Sequence, residues 1–388
     1  MNTSELRREI SADLPRILAL RHELHAHPER SGQERETKAR IVRELTALGI
    51  EVHPFEGCHS VMGVLRNGEG RCVAIRADMD ALPITEETGL PFASENPGVM
   101  HACGHDVHMT LSLGSAAWFS AHRDRWRGTV KWLFESEEET VGGGQRMIAQ
   151  GCMRDPAVDV VLGQHMNPQY PTGAFYACPG YVSGASDDLL LTVRGSACHG
   201  AYPQKGTDAI VITAQIISAL QTLVSRTISP FDPVAVTFGM IEGGTAANIV
   251  CGEVNVHGTL RTVNEQTRAL LRERLAQIPA GIAAAMGGSA EMTIHSSYGA
   301  VYNDPARYAL VAAEAERILG ADRMVLQPAP SLGVESFSFF LKETPGVYYD
   351  LGCGVGTGLH TPTFRVDEDV IPLGIELQIA AAARLLEE

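Results

Sequence analysis

Between about residues 60 and 166, short apolar runs alternate with helix-like stretches, and this alternation limits the possible folds more than any other feature. "SVMGVLRNG", "RCVAIRADMD", "GTVKWLFESEEE" and "VDVVLGQHM" read as strands, and "HMTLSLGSAAWFSAHR" and "GGGQRMIAQG" as helical segments separating the later ones. Such alternation predicts an α/β domain with a largely parallel sheet. From about residue 185 the order changes to strand ("DLLLTVRGSA"), helix ("DAIVITAQIISALQTLVSRT"), two strands ("PVAVTFGMIEGG", "EVNVHGTLRTV"), helix ("TRALLRERLAQIPAGIAAAMG") and strand ("AEMTIHSSYG"). That is the β-α-β-β-α-β unit of ferredoxin-like folds. The α/β pattern resumes with "ARYALVAAEAERILG" and "GVYYDLGCG". The expected architecture is therefore a discontinuous α/β domain, 1–184 with 299–388, interrupted by an α+β satellite at 185–298.

In open α/β sheets, ligands bind beyond the carboxyl ends of the strands. Asp78 and Asp80 follow "CVAIRA", Glu137, Glu138 and Glu139 follow "TVKWLF", His165 follows "DVVLGQ", and His360 follows "GVYYDLG". The segment "GVMHACGHDVHMTL" adds His101, Cys103, His105, Asp106 and His108 in a loop entering a helix. Each has a plain reading alone: a hydrogen-bonded histidine, a solvated acidic turn, a buried thiol, or a helix cap at Asp106. Together, five segments bring thiolate, imidazole and carboxylate groups to one sheet edge. That donor mixture suits Zn²⁺, Mn²⁺, Co²⁺ or Ni²⁺ better than Ca²⁺ or Mg²⁺. Five or six ligands can hold two ions, with a neighbouring carboxylate left to take a proton from water. A Cys–His hydrolase with Cys103 as nucleophile is a second reading, but it leaves the acids and distant histidines unexplained.

Other features narrow the class. The formal charge of −15, from 31 basic against 46 acidic residues, disfavours nucleic acid and anionic membranes. No apolar run approaches the ~20 residues of a membrane span, and the N-terminus lacks a signal-peptide pattern. Eight scattered cysteines without a CxxC pair read as reduced thiols in a cytoplasmic protein. "TVGGGQ" matches neither a P-loop nor G-x-G-x-x-G, so its glycines are expected to allow close backbone approach beside the acidic turn.

"MHACGHDVHM", "RADMDALPI", the Glu-Glu turn followed by glycines, "LGQHM", "GLHTPTF" and "LRHELHAHPERSGQE" resemble, in order, the dinuclear-metal amidohydrolases. These include hippurate hydrolases, N-acyl-amino-acid deacylases and indole-acetyl-amino-acid hydrolases. The resemblance implies metal ligands at Cys103, His105, Glu139, His165 and His360, a general base at Glu138, and an orienting role for Asp80. A slip of one in the acidic triplet would nominate Glu137; the spacing to "GGG" favours 138/139. "SACHGAYPQKGTDAI" is similar to the family segment whose histidine reaches the neighbouring subunit's active site to stabilise an oxyanion, which nominates His199. "GGTAANIV" and "GTLRT" nominate Asn248 and Arg261 for substrate binding. Two segments depart from the family: Gln-Pro-Ala before the Glu pair is Glu135-Ser136-Glu137, and Glu-Asp-Phe is Glu335-Ser336-Phe337. The loss of an acid at 336 is expected to alter a charge bordering the pocket.

The resemblance thus implies a homodimeric, cytoplasmic hydrolase with two divalent ions per subunit, Mn²⁺ or Zn²⁺ ahead of Co²⁺ or Ni²⁺. Its substrate would be a small N-acyl amino acid, cleaved to a carboxylic acid and a free amino acid. A dipeptidase or carbamoyl-amide hydrolase of the same family, and a non-catalytic metal-binding protein, are the alternatives.

Overall fold

The computed structural model describes residues 2–354 and 356–388. The chain divides into two compact units, Met1–Val182 with Tyr302–Ala329 and Ser336–Glu388, and Ser183–Val301 with Pro330–Glu335.

The first unit is built on an eight-stranded sheet. Its centre consists of Gly128–Glu135, Cys72–Asp78, Val160–Asn167 and Gly346–Gly352, each parallel to the next. Antiparallel pairs flank this centre: Val61–Asn67 with Gly128–Glu135 on one side, and Phe175–Ala177 with Gly346–Gly352 on the other. Every residue of Cys72–Asp78 and of Gly128–Glu135 is buried, as expected where helices cover both faces of a parallel sheet. Helix His105–Ala121 packs on helix Val370–Leu386, and Gly114 makes that crossing possible. A Cβ there would lie 2.5 Å from Ile375 Cδ1. Because the four central strands run the same way, Asp78, Glu135, His165 and the chain leading to His360 leave the sheet at a single edge. In register, Asp78 pairs with Glu135.

The second unit has an antiparallel sheet ordered Val234–Gly243, Glu253–Thr262, Ala185–Arg194, Ser289–Ser296. Numbered along the chain this is 2-3-1-4, the ferredoxin-like arrangement. Asp208 and Asn264 cap the two helices, their side chains accepting from Ile210 and Gln266 amides at 2.9 and 2.8 Å. The first helix continues to Thr227, and Ala209–Thr227 passes the length and composition of a bilayer span although its apolar run is broken by Thr213, Gln215, Ser218 and Gln221. Its apolar character has a local cause, since Ile212, Ile216 and Leu220 are buried in the core of this unit with Leu191 and Val256.

Candidate metal centre

Cys103 opens the loop before helix His105–Ala121, where Gly104 takes a left-handed φ of 86° as the N-cap. This puts the Cys103 thiol and the His105 ring at the start of one helix, beneath His165 at a strand end. Cys103 Sγ lies 3.3 Å from both His165 Nε2 and His360 Nε2, and His360 Nε2 lies 3.2 Å from Glu139 Oε1. Among the described residues four overlapping triads have their ligating atoms within 4.8 Å of one another: Cys103–His105–His165, Cys103–Glu139–His360, His105–Glu138–Glu139 and Asp78–His105–His108. The sequence-nominated ligands and Glu138 are therefore brought together.

Backbone carbonyls fix the rings. His105 Nδ1 donates to Asp80 O at 2.8 Å and His165 Nδ1 to Met166 O at 2.8 Å, which leaves each Nε2 facing the centre. The left-handed His360 (φ 60°) is pinned by its amide to Ala102 O at 2.8 Å. Asp80 Oδ2 accepts from Ser31 Oγ at 2.6 Å and from the Glu139 amide at 3.0 Å, so this acid orients both a ring and a carboxylate. His108 is different. Its Nδ1 donates to Asp78 Oδ1 at 2.6 Å and its Nε2 accepts from the Met166 amide at 2.9 Å, so both nitrogens are committed.

The acidic turn is held from several sides. Glu137 has φ 62°, its amide donates to Glu34 Oε1 at 2.9 Å, and its carboxylate pairs with Arg146 at 2.7 Å. Glu137 is thus turned to Arg146, while Glu138 and Glu139 share a triad with His105. Gly143 fits where nothing larger could, since a Cβ would sit 2.4 Å from Ser136 O. Burial pushes the Glu34 carboxyl up to about 7. Sequence reasoning missed Glu34, because an acid in a loop carries no mark of burial.

Electrostatics show what the cage lacks. Burial would raise the Cys103 thiol, yet the neighbouring His165 and His105 hold it down at about 7. Burial opposes charge on His105 and His165, but Asp78 and Cys103 keep both rings well above the ordinary imidazole range. Hydrogen bonds to Cys103 and Glu139 push His360 up to about 10. An anionic cavity is thus gathering protons onto its imidazoles. The buried atoms His105 Nε2 and Asp80 Oδ1 have no hydrogen-bond partner, and Glu139 Oε1 has only the His360 ring beside it. Orphaned donors of this kind fit a divalent cation, which would replace the protons.

Two expectations are corrected. Asp106 caps nothing; it lies buried against His25 Nδ1 at 2.9 Å and Arg21 Nε at 3.0 Å. The acid absent at Ser336 is supplied by Glu135: Ser336 is fully buried with its hydroxyl between Arg76 and Glu135, and its amide donates to Glu138 Oε1 at 3.3 Å beside the centre.

The remaining nominees lie in the second unit. His199 sits in the two-residue strand Cys198–His199, paired with Ile249–Val250. The Gly200 amide donates to Asn248 O at 2.8 Å, so His199 and Asn248 are neighbours. Arg261 stands on strand Glu253–Thr262, opposite Ser186 and Ala235.

Residues 74–384 match Peptidase family M20/M25/M40. N-acetyl-L-cysteine deacetylase of Bacillus subtilis (strain 168) is 34% identical over 372 residues, covering 96% of this chain and 88% of that protein. Thermostable carboxypeptidase 1 of Saccharolobus solfataricus is 35% identical over 368 residues, covering 92% of each. A crystal structure of a dinuclear metal binding peptidase from the M20 family of Bacillus subtilis superposes with a TM-score of 0.85 at 30% identity. The match spans 97% of this chain and 99% of that one.

Proposed function

The chain belongs to Peptidase family M20/M25/M40 and is a hydrolase acting on amides; we propose that it removes the acyl group from a small N-acyl amino acid. The observation that carries this reading is Glu138 standing beside five clustered candidate ligands, among which the buried His105 Nε2 lacks a partner. Cys103, His105, Glu139, His165 and His360 would hold two divalent ions, Mn²⁺ or Zn²⁺ before Co²⁺ or Ni²⁺. Such ions would polarise the acyl carbonyl and acidify the attacking water. Glu138 takes the proton from that water and returns it to the departing amine, so that one carboxylate serves both transfers. Asp80 keeps the His105 ring and the Glu139 carboxylate in place throughout. His199 donates to the oxyanion, Asn248 helps seat the substrate, and Arg261 pairs with its carboxylate. His199 would act from the partner subunit of a homodimer in the cytoplasm.

The test is free-amine release from a panel varying acyl group and amino acid separately, with Mn²⁺- or Zn²⁺-loaded enzyme. Acyl-amino-acid turnover abolished by chelator and restored by metal is expected. Turnover of unblocked dipeptides alone would move the reading to a peptidase, in keeping with the carboxypeptidase relative. Full activity in metal-free protein, lost on alkylation of Cys103, would establish the thiol mechanism instead. An active monomer in sedimentation would remove the partner role of His199.

A further inference from the structure

Beneath the metal centre lies a fully buried polar cluster that the proposed chemistry does not use directly. Arg76, Asp78, Glu135 and Ser336 are each no more than 1% exposed. Arg76 donates through Nε to Glu135 Oε2 at 2.7 Å, through NH1 to Asp78 Oδ2 at 2.6 Å, and through NH2 to Ser336 Oγ at 2.6 Å. Ser336 Oγ passes its own proton to Glu135 Oε2 at 2.9 Å. Glu135 Oε1 accepts from the Gly144 amide at 2.6 Å, at the far end of the acidic turn. The cluster then reaches the site by two routes. The Ser336 amide donates to Glu138 Oε1 at 3.3 Å, and Asp78 Oδ2 lies 3.7 Å from His105 Nε2.

Two of the departures from the resembled pattern, Glu135 and Ser336, are thus in direct contact and share one arginine. An acid at either position could satisfy the Arg76 nitrogens facing it. Acids at both would add a buried anion to a cluster already holding Asp78, and acids at neither would leave the guanidinium underpaired.

We propose that Glu135 and Ser336 form an exchanged acid pair around Arg76, and that this pair is a positioning device setting Glu138 through the Ser336 amide. The inference rests on Glu138 being the general base. Ser336 is fixed by its hydroxyl on one side and aims its amide at the base on the other. Moving the acid without moving its partner displaces that amide. A base displaced by about 1 Å costs on the order of 100-fold in turnover.

The experiment compares Glu135→Gln, Ser336→Asp and the double exchange in full-length, metal-loaded protein. Each single variant is expected to lose about 100-fold in kcat with KM little changed. The double variant should return to within about 10-fold of wild type and regain most of the lost thermal midpoint. A double variant as impaired as the two singles multiplied overturns the exchange. If a single variant does not fold, Ser336→Ala takes its place, removing only the hydroxyl between Arg76 and Glu135; unchanged kcat would overturn the positioning role. Should wild type hydrolyse no acyl amino acid, the functional reading fails by itself. The midpoint cycle then still decides the exchange, and a second midpoint cycle of Glu135→Gln with Glu138→Ala, which removes the acceptor of the Ser336 amide, decides the link to Glu138. Additive midpoints in that second cycle would break the link.

Discussion

Loading the centre with metal should release protons, and their number follows from the groups that face it. In the metal-free cage, Asp78 and Cys103 hold His105 and His165 well above their ordinary range, and Cys103 and Glu139 hold His360 at about 10. A raised imidazole stays protonated until the pH passes its raised value, so a cation that needs the neutral ring must evict that proton. The thiol behaves oppositely: at about 7 it is mostly ionised at pH 8 and mostly protonated at pH 6. Three ring protons are therefore at stake at pH 8, and the thiol adds a fourth at pH 6. Solvent around His360, whose side chain is 50% exposed, weakens its share. Each proton displaced makes the affinity for metal rise by up to about tenfold per pH unit. The assay is calorimetric titration of metal-free protein with Zn²⁺ in buffers of different ionisation enthalpy, whose slope counts protons. About two to three should appear at pH 8 and roughly one more at pH 6, and Cys103→Ser should remove the difference. Fewer than one proton at both pH values would show that the rings are neutral in the empty cage, and the electrostatic account would be wrong.

Further outcomes follow from other contacts. Glu138→Gln keeps an acceptor for the Ser336 amide but cannot carry the proton. Its kcat should fall by about 10²–10⁴-fold while bound metal, read by elemental analysis, and the thermal midpoint stay near wild type. Asp106→Asn leaves buried Arg21 and His25 short of an anion and should cost about 3 kcal/mol in urea unfolding at pH 7. Because Arg21 and His25 hold the Asp106 carboxyl well below its ordinary range despite burial, that contribution is present above about pH 4 and fades as pH falls further. Gly143→Ala pushes a methyl to 2.4 Å from Ser136 O, and activity on the acyl-amino-acid panel should drop at least 10-fold through a displaced acidic turn. Arg261→Met should raise KM by about 10-fold or more with kcat little changed, since a carboxylate contact helps substrate and transition state alike.

The ligands were legible because strand direction is legible. Apolar runs ending in Asp80, Glu139 and His165 are short-range signals, and parallel strands send all such ends to one edge. What the sequence hid was pairing at long range. Asp106 sits where a helix cap belongs, yet its partners are Arg21 and His25, some eighty residues earlier. Ser336 reads as a lost pocket charge until Glu135, about two hundred residues before it, proves to hold the acid on the same arginine. Neither is a matter of local propensity. Each depends on which distant side chain completes a buried contact.

The same long-range pairing explains how ligands from separate segments stay aligned. His105, His165 and His360 are each tied to a backbone carbonyl of another segment or a neighbouring residue, and Glu139 hangs by its amide from Asp80. Every such tie buries polar atoms, which burial makes costly unless they are satisfied. The cage nevertheless leaves His105 Nε2 and Asp80 Oδ1 without partners. A cation that satisfies them binds the folded chain and not the unfolded one, so it adds to stability through binding alone. Affinity for metal and fold stability are therefore one quantity at this edge of the sheet. Substitutions in the buried cluster around Arg76 should disturb both, whereas Glu138, the proposed proton carrier beside the nominated ligands, should separate catalysis from either.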